Sequence, residues 1–250
     1  MKKLYIITNW HTGETVAEGE AESLLKVVEA KKANLNGANL SGANTDLSGG
    51  NLKGASLIGA HMKGANLAGC DFTGAELRNA DLRFADLSGA TFCRAKMGDV
   101  DLFGANLCGA DFTEALLGGS NLSGADMTKS VLIEADFMGA NFQHTNLSGA
   151  YLLGANLKYS DFREVNFSSA DLSTADLSGA DLRNTDFSGA TLKGAILEGS
   201  NLEDTFKITI DQLKDTKSLF DTKFHPAIKQ LVEAECAHLL REATRPGFAR

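Results

Sequence analysis

Leucine, phenylalanine or methionine recurs at every fifth position from Leu47 to Leu202, thirty-two times without a break. Two residues before each stands a small one, alanine in twenty-one repeats and otherwise Gly, Ser, Thr, Cys or Val. The residue immediately before is Asp or Asn in twenty-two. A period of five matches neither the ~3.6 of a helix nor the ~2 of a strand. Self-similarity at a fixed period marks an array whose units stack on one another. Large and small apolar residues two apart point to the same side of an extended segment. Both should therefore face inward and fill a solid column. Glycine holds the last position of eighteen repeats, where corners need a permissive backbone.

The unit, as in Ala65-Asn66-Leu67-Ala68-Gly69 and Ala180-Asp181-Leu182-Arg183-Asn184, resembles the A(D/N)LXX motif of the pentapeptide-repeat family over about two-thirds of the chain. The resemblance implies an all-β solenoid, a right-handed quadrilateral β-helix with four pentapeptides to a coil and about eight to nine coils. With twenty residues per coil, Phe72, Phe92 and Phe112 should stack, as should Phe142 with Phe162 and Phe167 with Phe187. Eight coils at about 4.8 Å make a rod roughly 38 Å long.

Three segments follow: an N-terminal cap over 1–32, the repeats over 33–204 (in frame from 45), and a C-terminal helical cap over 205–250. Residues 4–8 read as a strand, 9–13 as a turn and 15–17 as a short return strand. An amphipathic helix is expected over 20–32, with Leu24, Val27, Val28 and the stem of Lys31 inward. Repeats centred on Leu35 and Leu40 are out of frame by two residues, which places a bulge or loop around Ala43-Asn44-Thr45-Asp46. Beyond Leu202 the period stops. Thr209-Ile210-Asp211-Gln212 is a capping box that starts a short helix at Ile210. Pro226 opens a second helix with Ile228, Leu231, Val232, Leu239 and Leu240 on one face. That face should seal the last coil. Related pentapeptide proteins pair through their C-terminal ends, so the resemblance also implies a homodimer through this region.

Residues 45–204 hold 21 acidic against 11 basic side chains, a net −10, while the whole chain is −8. An anionic rod argues against direct nucleic-acid binding. Pentapeptide proteins that confer quinolone resistance are thought to mimic duplex DNA in the DNA saddle of gyrase, which makes a type II topoisomerase a partner the resemblance implies. A duplex about 38 Å long carries roughly 22 charges, more than twice the rod's net charge. The uninterrupted repeats also lack the loops that some plasmid-borne resistance proteins carry.

The four faces differ in outward chemistry. One carries Asp46, Asp86, Asp126 and Asp186 interleaved with Asn66, Asn106, Asn146 and Asn166, and Lys129 is its only cation. It is a candidate anionic strip, with a solvated face of consensus residues as the plainer reading. The next face sets Val131 and Ile133 beneath Tyr151 and Leu153, with Leu116 and Met138 on the adjoining face. Contiguous exposed apolar surface marks contact sites, so these six form a candidate patch for protein binding or self-association. A third pattern mixes Asp81, Asp101, Asp161 and Asp181 with Lys63, Arg83, Arg163 and Arg183, which reads as solubility chemistry.

No apolar run approaches 18 residues, so no membrane span is expected. The apolar stretch after Lys3 is too short for a signal peptide. Four cysteines without a CxxC spacing point to a reducing cytoplasm and to no metal or disulfide. The five histidines are scattered and no insertion builds a cleft, so no catalytic, cofactor or metal site is expected. The leading expectation is a noncatalytic protein-interaction scaffold. The alternative is a DNA-mimic regulator of gyrase with quinolone-protection-like activity.

Overall fold

The computed structural model describes residues 2–42 and 45–241. From Thr45 the chain advances in coils of twenty residues, so that Asp46 pairs with Asn66, Asn51 with Asp71, Ser56 with Glu76 and His61 with Asp81, all in parallel register. Four five-residue units per coil give four faces. The repeat Ala110–Glu114 shows how its backbone is satisfied. Asp111 N donates to Ala90 O below (2.9 Å); Phe112 N and Glu114 N donate to Val131 O and Ile133 O above (2.7 and 3.0 Å). Ala115 N closes the corner onto Phe112 O (2.9 Å). Thr113 N is left over, and it donates to the Asp111 carboxylate of its own repeat (2.9 Å). Asp or Asn before each inward residue is thus a turn residue that absorbs the one N–H the ladder cannot reach.

The corners all pass through left-handed backbone. The last repeat position has φ between about +56° and +71° at all eighteen glycines and at fourteen other residues, among them Phe84, Glu134 and Tyr159. Glycine eases this geometry but is not required for it. A left-handed L-residue costs roughly 1–2 kcal/mol, which the surrounding ladder offsets.

Inside, the central residues from Leu47 to Leu197 are at most 1% exposed. The three expected aromatic stacks form, with Phe72–Phe92 at 5.0 Å, Phe92–Phe112 at 4.9 Å, Phe142–Phe162 at 4.7 Å and Phe167–Phe187 at 5.4 Å. Phe137, on a neighbouring face, joins Phe112 (6.2 Å) to Phe142 (5.1 Å), and Phe162 meets Phe167 at 5.3 Å. One ladder of eight rings therefore runs along the column, because a residue one face over is also within reach, whether five residues on, as from Phe137 to Phe142 and from Phe162 to Phe167, or one coil further, as from Phe112 to Phe137.

At the N-terminal end β1 (Lys3–Thr8) pairs antiparallel with β2 (Thr15–Ala21), and α1 spans Leu24–Lys31. The return strand is longer than expected and the helix starts later. Glu18 and Glu20 complete the pairing with Ile6 and Leu4, and the Ser23 hydroxyl, accepting from Lys26 N, begins the helix at Leu24. Val27 and Val28 are buried and Leu24 packs on the core, but Lys31 points to solvent. It is Lys32 that reaches back, its Nζ donating to Asn51 Oδ1 at 3.0 Å. Glu29 accepts from Asn51 N and the Lys32 carbonyl from Ser56 N, so α1 occupies the place of a preceding coil. Leu35 and Leu40 are buried. Leu35 N bonds Ser56 O, twenty-one residues on, whereas Leu47 N bonds Asn66 O, nineteen on. The two extra residues lie between Gly42 and Thr45; the expected bulge falls on Ala43 and Asn44, outside the described residues.

At the other end the column does not stop at Leu202. β3 (Asn201–Leu202) pairs in parallel with β4 (Lys223–Phe224), Ile196 with Ser218, and Gly194 N donates to Asp215 O at 2.7 Å. Leu213, Leu219 and Phe224 are buried beneath them. Residues 206–224 thus form one more coil, with α2 (Ile210–Lys214) on one side, capped by Thr209 and Gln212 as expected. The helical turn changes the spacing to about twenty-two residues, which hides this coil from a five-residue count. α3 (Pro226–Glu235) follows, with Val232 and Cys236 buried.

Candidate interaction surfaces

The anionic strip assembles as one ladder: Asp46, Asn66, Asp86, Asn106, Asp126, Asn146, Asn166 and Asp186 pair in sequence. Its charge is largely answered locally. Asn66 Nδ2 donates to Asp46 Oδ1 and Asn106 Nδ2 to Asp86 Oδ1, each at 3.0 Å. Asp126 accepts from the Thr128 N–H (3.0 Å) and hydroxyl. Asp186 accepts from Ser188 and sits 3.2 Å from Lys207, a second cation beside Lys129. Lys207 takes the position where the next central residue would have stood. The Ser188 hydroxyl, against burial, holds the Asp186 carboxyl below its ordinary range.

The apolar block has the opposite character. On its ladder the order is Asp111, Val131, Tyr151, Asp171. Below and above, Thr113 N and Ser173 N donate to Asp111 and Asp171 (2.9 and 3.0 Å). Between them, Ile133 N and Leu153 N have no acceptor among the described residues, since Val131 and Tyr151 offer none. Leu116 on the next face likewise leaves Gly118 N without a side-chain acceptor. Tyr151, Leu153, Leu116 and Met138 are 53%, 43%, 49% and 50% exposed. Val131 and Ile133 are only half-buried contributors, because the larger Tyr151 and Leu153 stack one rung away.

Arg83, Arg163 and Arg183 each clasp the Asp two residues earlier through two nitrogens, with Nη2 contacts of 2.8, 2.8 and 2.6 Å. Burial would raise the Asp81 and Asp161 carboxyls, but hydrogen bonds from Arg83 and Arg163 outweigh it and hold both low. At Asp181 the Arg183 fork is the largest influence, in the same direction. Lys63 leaves this row and lies 5.6 Å over the Phe84 ring.

The C-terminal face divides. Val232 turns inward, Ile228, Leu239 and Leu240 are half-buried against the core, and Leu231 is exposed. Leu239 and Leu240 come after the helix ends at Glu235 and pack through a following turn, with Leu219 N donating to Leu239 O at 2.9 Å.

Two features escaped the residue pattern. Trp10 Nε1 donates to Gly59 O (2.9 Å) and its ring stacks on His61 at 5.3 Å, while His61 Nδ1 lies 2.9 Å from Asp81; this pins the hairpin to the rod. Phe84 and Phe103 form an exposed edge-on pair at 5.2 Å. An aromatic at a corner position, such as Phe84 or Tyr159, was the available signal. Among the described residues the four cysteines are free, no acidic, histidine or cysteine cluster could hold a metal, and no helix is long and apolar enough to cross a membrane. Burial pushes the Cys70 thiol up to about 11, and burial with the Asp111 carboxylate does the same at Cys93.

Four-sided coils of five-residue units, stacked in parallel register around a solid apolar column, define a repeat β-helix. The chain belongs to the pentapeptide-repeat family, whose sequence profile matches it in eight copies spread over residues 33–204. Two trypsin-treated forms of QnrB1, a plasmid-mediated fluoroquinolone resistance protein, have similar structures. One aligns with a TM-score of 0.63 at 22% identity, over 77% of this chain and 95% of that one. The other gives 0.58 at 22%, over 72% and 88%. HetL, a pentapeptide repeat protein involved in heterocyst differentiation regulation from the cyanobacterium Nostoc, is 29% identical over 81% of this chain and 94% of its own, with a TM-score of 0.40. Comparison with curated protein sequences gives no match. At these identities the likeness to QnrB1 is one of fold.

Proposed function

We propose that the chain is a noncatalytic protein-interaction scaffold: a right-handed quadrilateral β-helix, closed by its end segments, that presents the Val131–Leu153 block to a protein partner. The observation that carries this reading is the paired loss at one place. Val131, Tyr151 and Leu116 stand where a turn-closing Asp or Asn stands in most repeats, so each forgoes a hydrogen bond of about 0.5–1.5 kcal/mol and adds apolar area in contact with water. Both costs fall on the isolated rod, and a partner covering the block offsets both.

A second reading, a DNA-mimic regulator of gyrase with quinolone-protection-like activity, draws on the fold of QnrB1 and on the acidic strip. It ranks second because the strip's carboxylates are answered by neighbouring amides, hydroxyls and Lys207 rather than left for a basic groove. We read α3 as a seal over the last coil rather than a dimer face, since Val232 and Cys236 point inward.

The test compares the wild-type chain with a Val131, Ile133, Tyr151 and Leu153 to Ser variant as baits in quantitative pull-downs, with light scattering on both. The expected result is a set of proteins retained by the first and lost by the second, with both baits monomeric and folded. Identical retention and identical mass would sink the scaffold reading. Inhibition of gyrase supercoiling at micromolar protein, or drug protection, would put the second reading first.

A further inference from the structure

The surroundings of the block specify the chemistry of what covers it, an inference that rests on the scaffold reading. Glu134 follows Ile133 at the corner between the two apolar faces, exposed, and no cation pairs with it among the described residues. Asp136, next along, accepts from Asn156 Nδ2 (2.8 Å) and Met138 N (3.0 Å) and likewise has no cation. Two cations at the perimeter are already engaged: Arg94 Nε lies 2.8 Å from Glu114, and Lys158 Nζ lies 2.9 Å from Asp176. Among the described residues the border of the block therefore carries two carboxylates without a cation, Glu134 and Asp136, against one free cation, Lys129, at the opposite corner before Val131. In addition, the Ile133 and Leu153 N–H groups lack acceptors among the described residues. Two copies meeting through this patch would set two such carboxylates on each side against a single lysine, whereas a segment carrying more than one cation would answer both.

We infer that the block takes a short basic and apolar segment of another protein. Its apolar side chains would lie on Tyr151, Leu153, Leu116 and Met138, and a lysine or arginine would face Glu134. Its carbonyl or side-chain oxygens would accept from Ile133 N and Leu153 N. An unpaired carboxylate beside apolar surface favours a cation there, and free backbone donors favour an extended segment with exposed carbonyls.

The probe is a library of random twelve-residue peptides displayed on phage and selected on the immobilised full chain. Enriched peptides are then synthesised and titrated by fluorescence anisotropy. They should carry lysine or arginine among apolar residues. Affinity should fall at least tenfold on a Tyr151→Asn, Leu153→Ser double variant and about three- to tenfold on Glu134→Gln, with a shallower salt dependence. Glu164→Gln, at a corner away from the block, should change nothing. Thermal melts verify that each variant is folded; if the double variant is not, Leu153→Ser alone serves, with the same loss expected in smaller measure. Peptides lost by the patch variant but neutral or acidic, and indifferent to Glu134→Gln, would overturn the basic partner while leaving the scaffold reading. A selection whose peptides bind wild type and patch variant alike would overturn both.

Discussion

The acidic strip and the apolar block are built on the same backbone, the same turn and the same inward chemistry, and they differ only in what stands outside. On the strip, each Asp or Asn closes its own turn and several reach a neighbour in the adjacent coil, so that the face is chemically complete by itself. On the block, Val131 and Tyr151 break that chain of bonds between Asp111 and Asp171 and leave two N–H groups unanswered. In a repeat protein the interior accounts for the fold and repeats; departures on the outside are left to be explained by what they touch.

The strongest way to break this contrast is to find that the interiors differ as well. Ala110 lies on the block's face and Ala125 on the strip's, and both are fully buried. Replacing either with leucine should overpack the column and destabilise it by about 1–3 kcal/mol, read as a lower denaturant midpoint in chemical unfolding. Similar losses at the two sites fit one uniform core; a neutral result at Ala110 alone would mean that the block sits over a loose interior.

A smaller and more pointed effect is expected from restoring the consensus. Tyr151→Asn should give Leu153 N an acceptor and remove exposed ring surface, stabilising the chain by about 0.5–1.5 kcal/mol while weakening partner binding. Unfolding by urea measures the first, and the peptide titrations the second. A loss of stability would mean that the Tyr151 ring contributes to the isolated rod, and the block would cease to stand apart from the strip.

Most of this was legible in the residues. The five-residue period carried the coil, the inward residues and the stacks of Phe92 and Phe162, because a strict repeat translates directly into ladder register. The capping box at Thr209 marked α2 for the same local reason. What was not legible depended on changes of spacing or on distant contact. The coil over 206–224 is offset by a helical turn, Phe137 reaches rings on another face, and Trp10 meets His61 across fifty residues of chain. The position of the block could be read from Val131 and Tyr151 alone, whereas its unsatisfied donors and the lone Glu134 required the full hydrogen-bond and ion-pair pattern. Val131 and Ile133 looked as prominent as Tyr151 because a sequence does not reveal shading by the rung above.

The smallest expected effect concerns charge on the strip. Asp186 is held below its ordinary pKa of about 3.9, first by the Ser188 hydroxyl and then, with burial opposing, by backbone and Lys207. A carboxyl whose folded pKa is depressed contributes stability that is full above the unfolded value and is lost as pH falls through the folded one. Asp186→Asn keeps an oxygen for the turn and removes the charge. At neutral pH it should cost only a few tenths of a kcal/mol, the scale of a solvent-screened pair, and that difference should shrink as pH falls below the ordinary carboxylate value of about 3.9. The same comparison at Tyr151→Asn should show no such pH dependence, because the exchange neither adds nor removes a carboxylate. Melting curves of the three proteins at pH 7 and pH 3 separate the two faces: a pH-independent gap at Asp186 would mean that its turn bond, not its charge, is what the strip contributes.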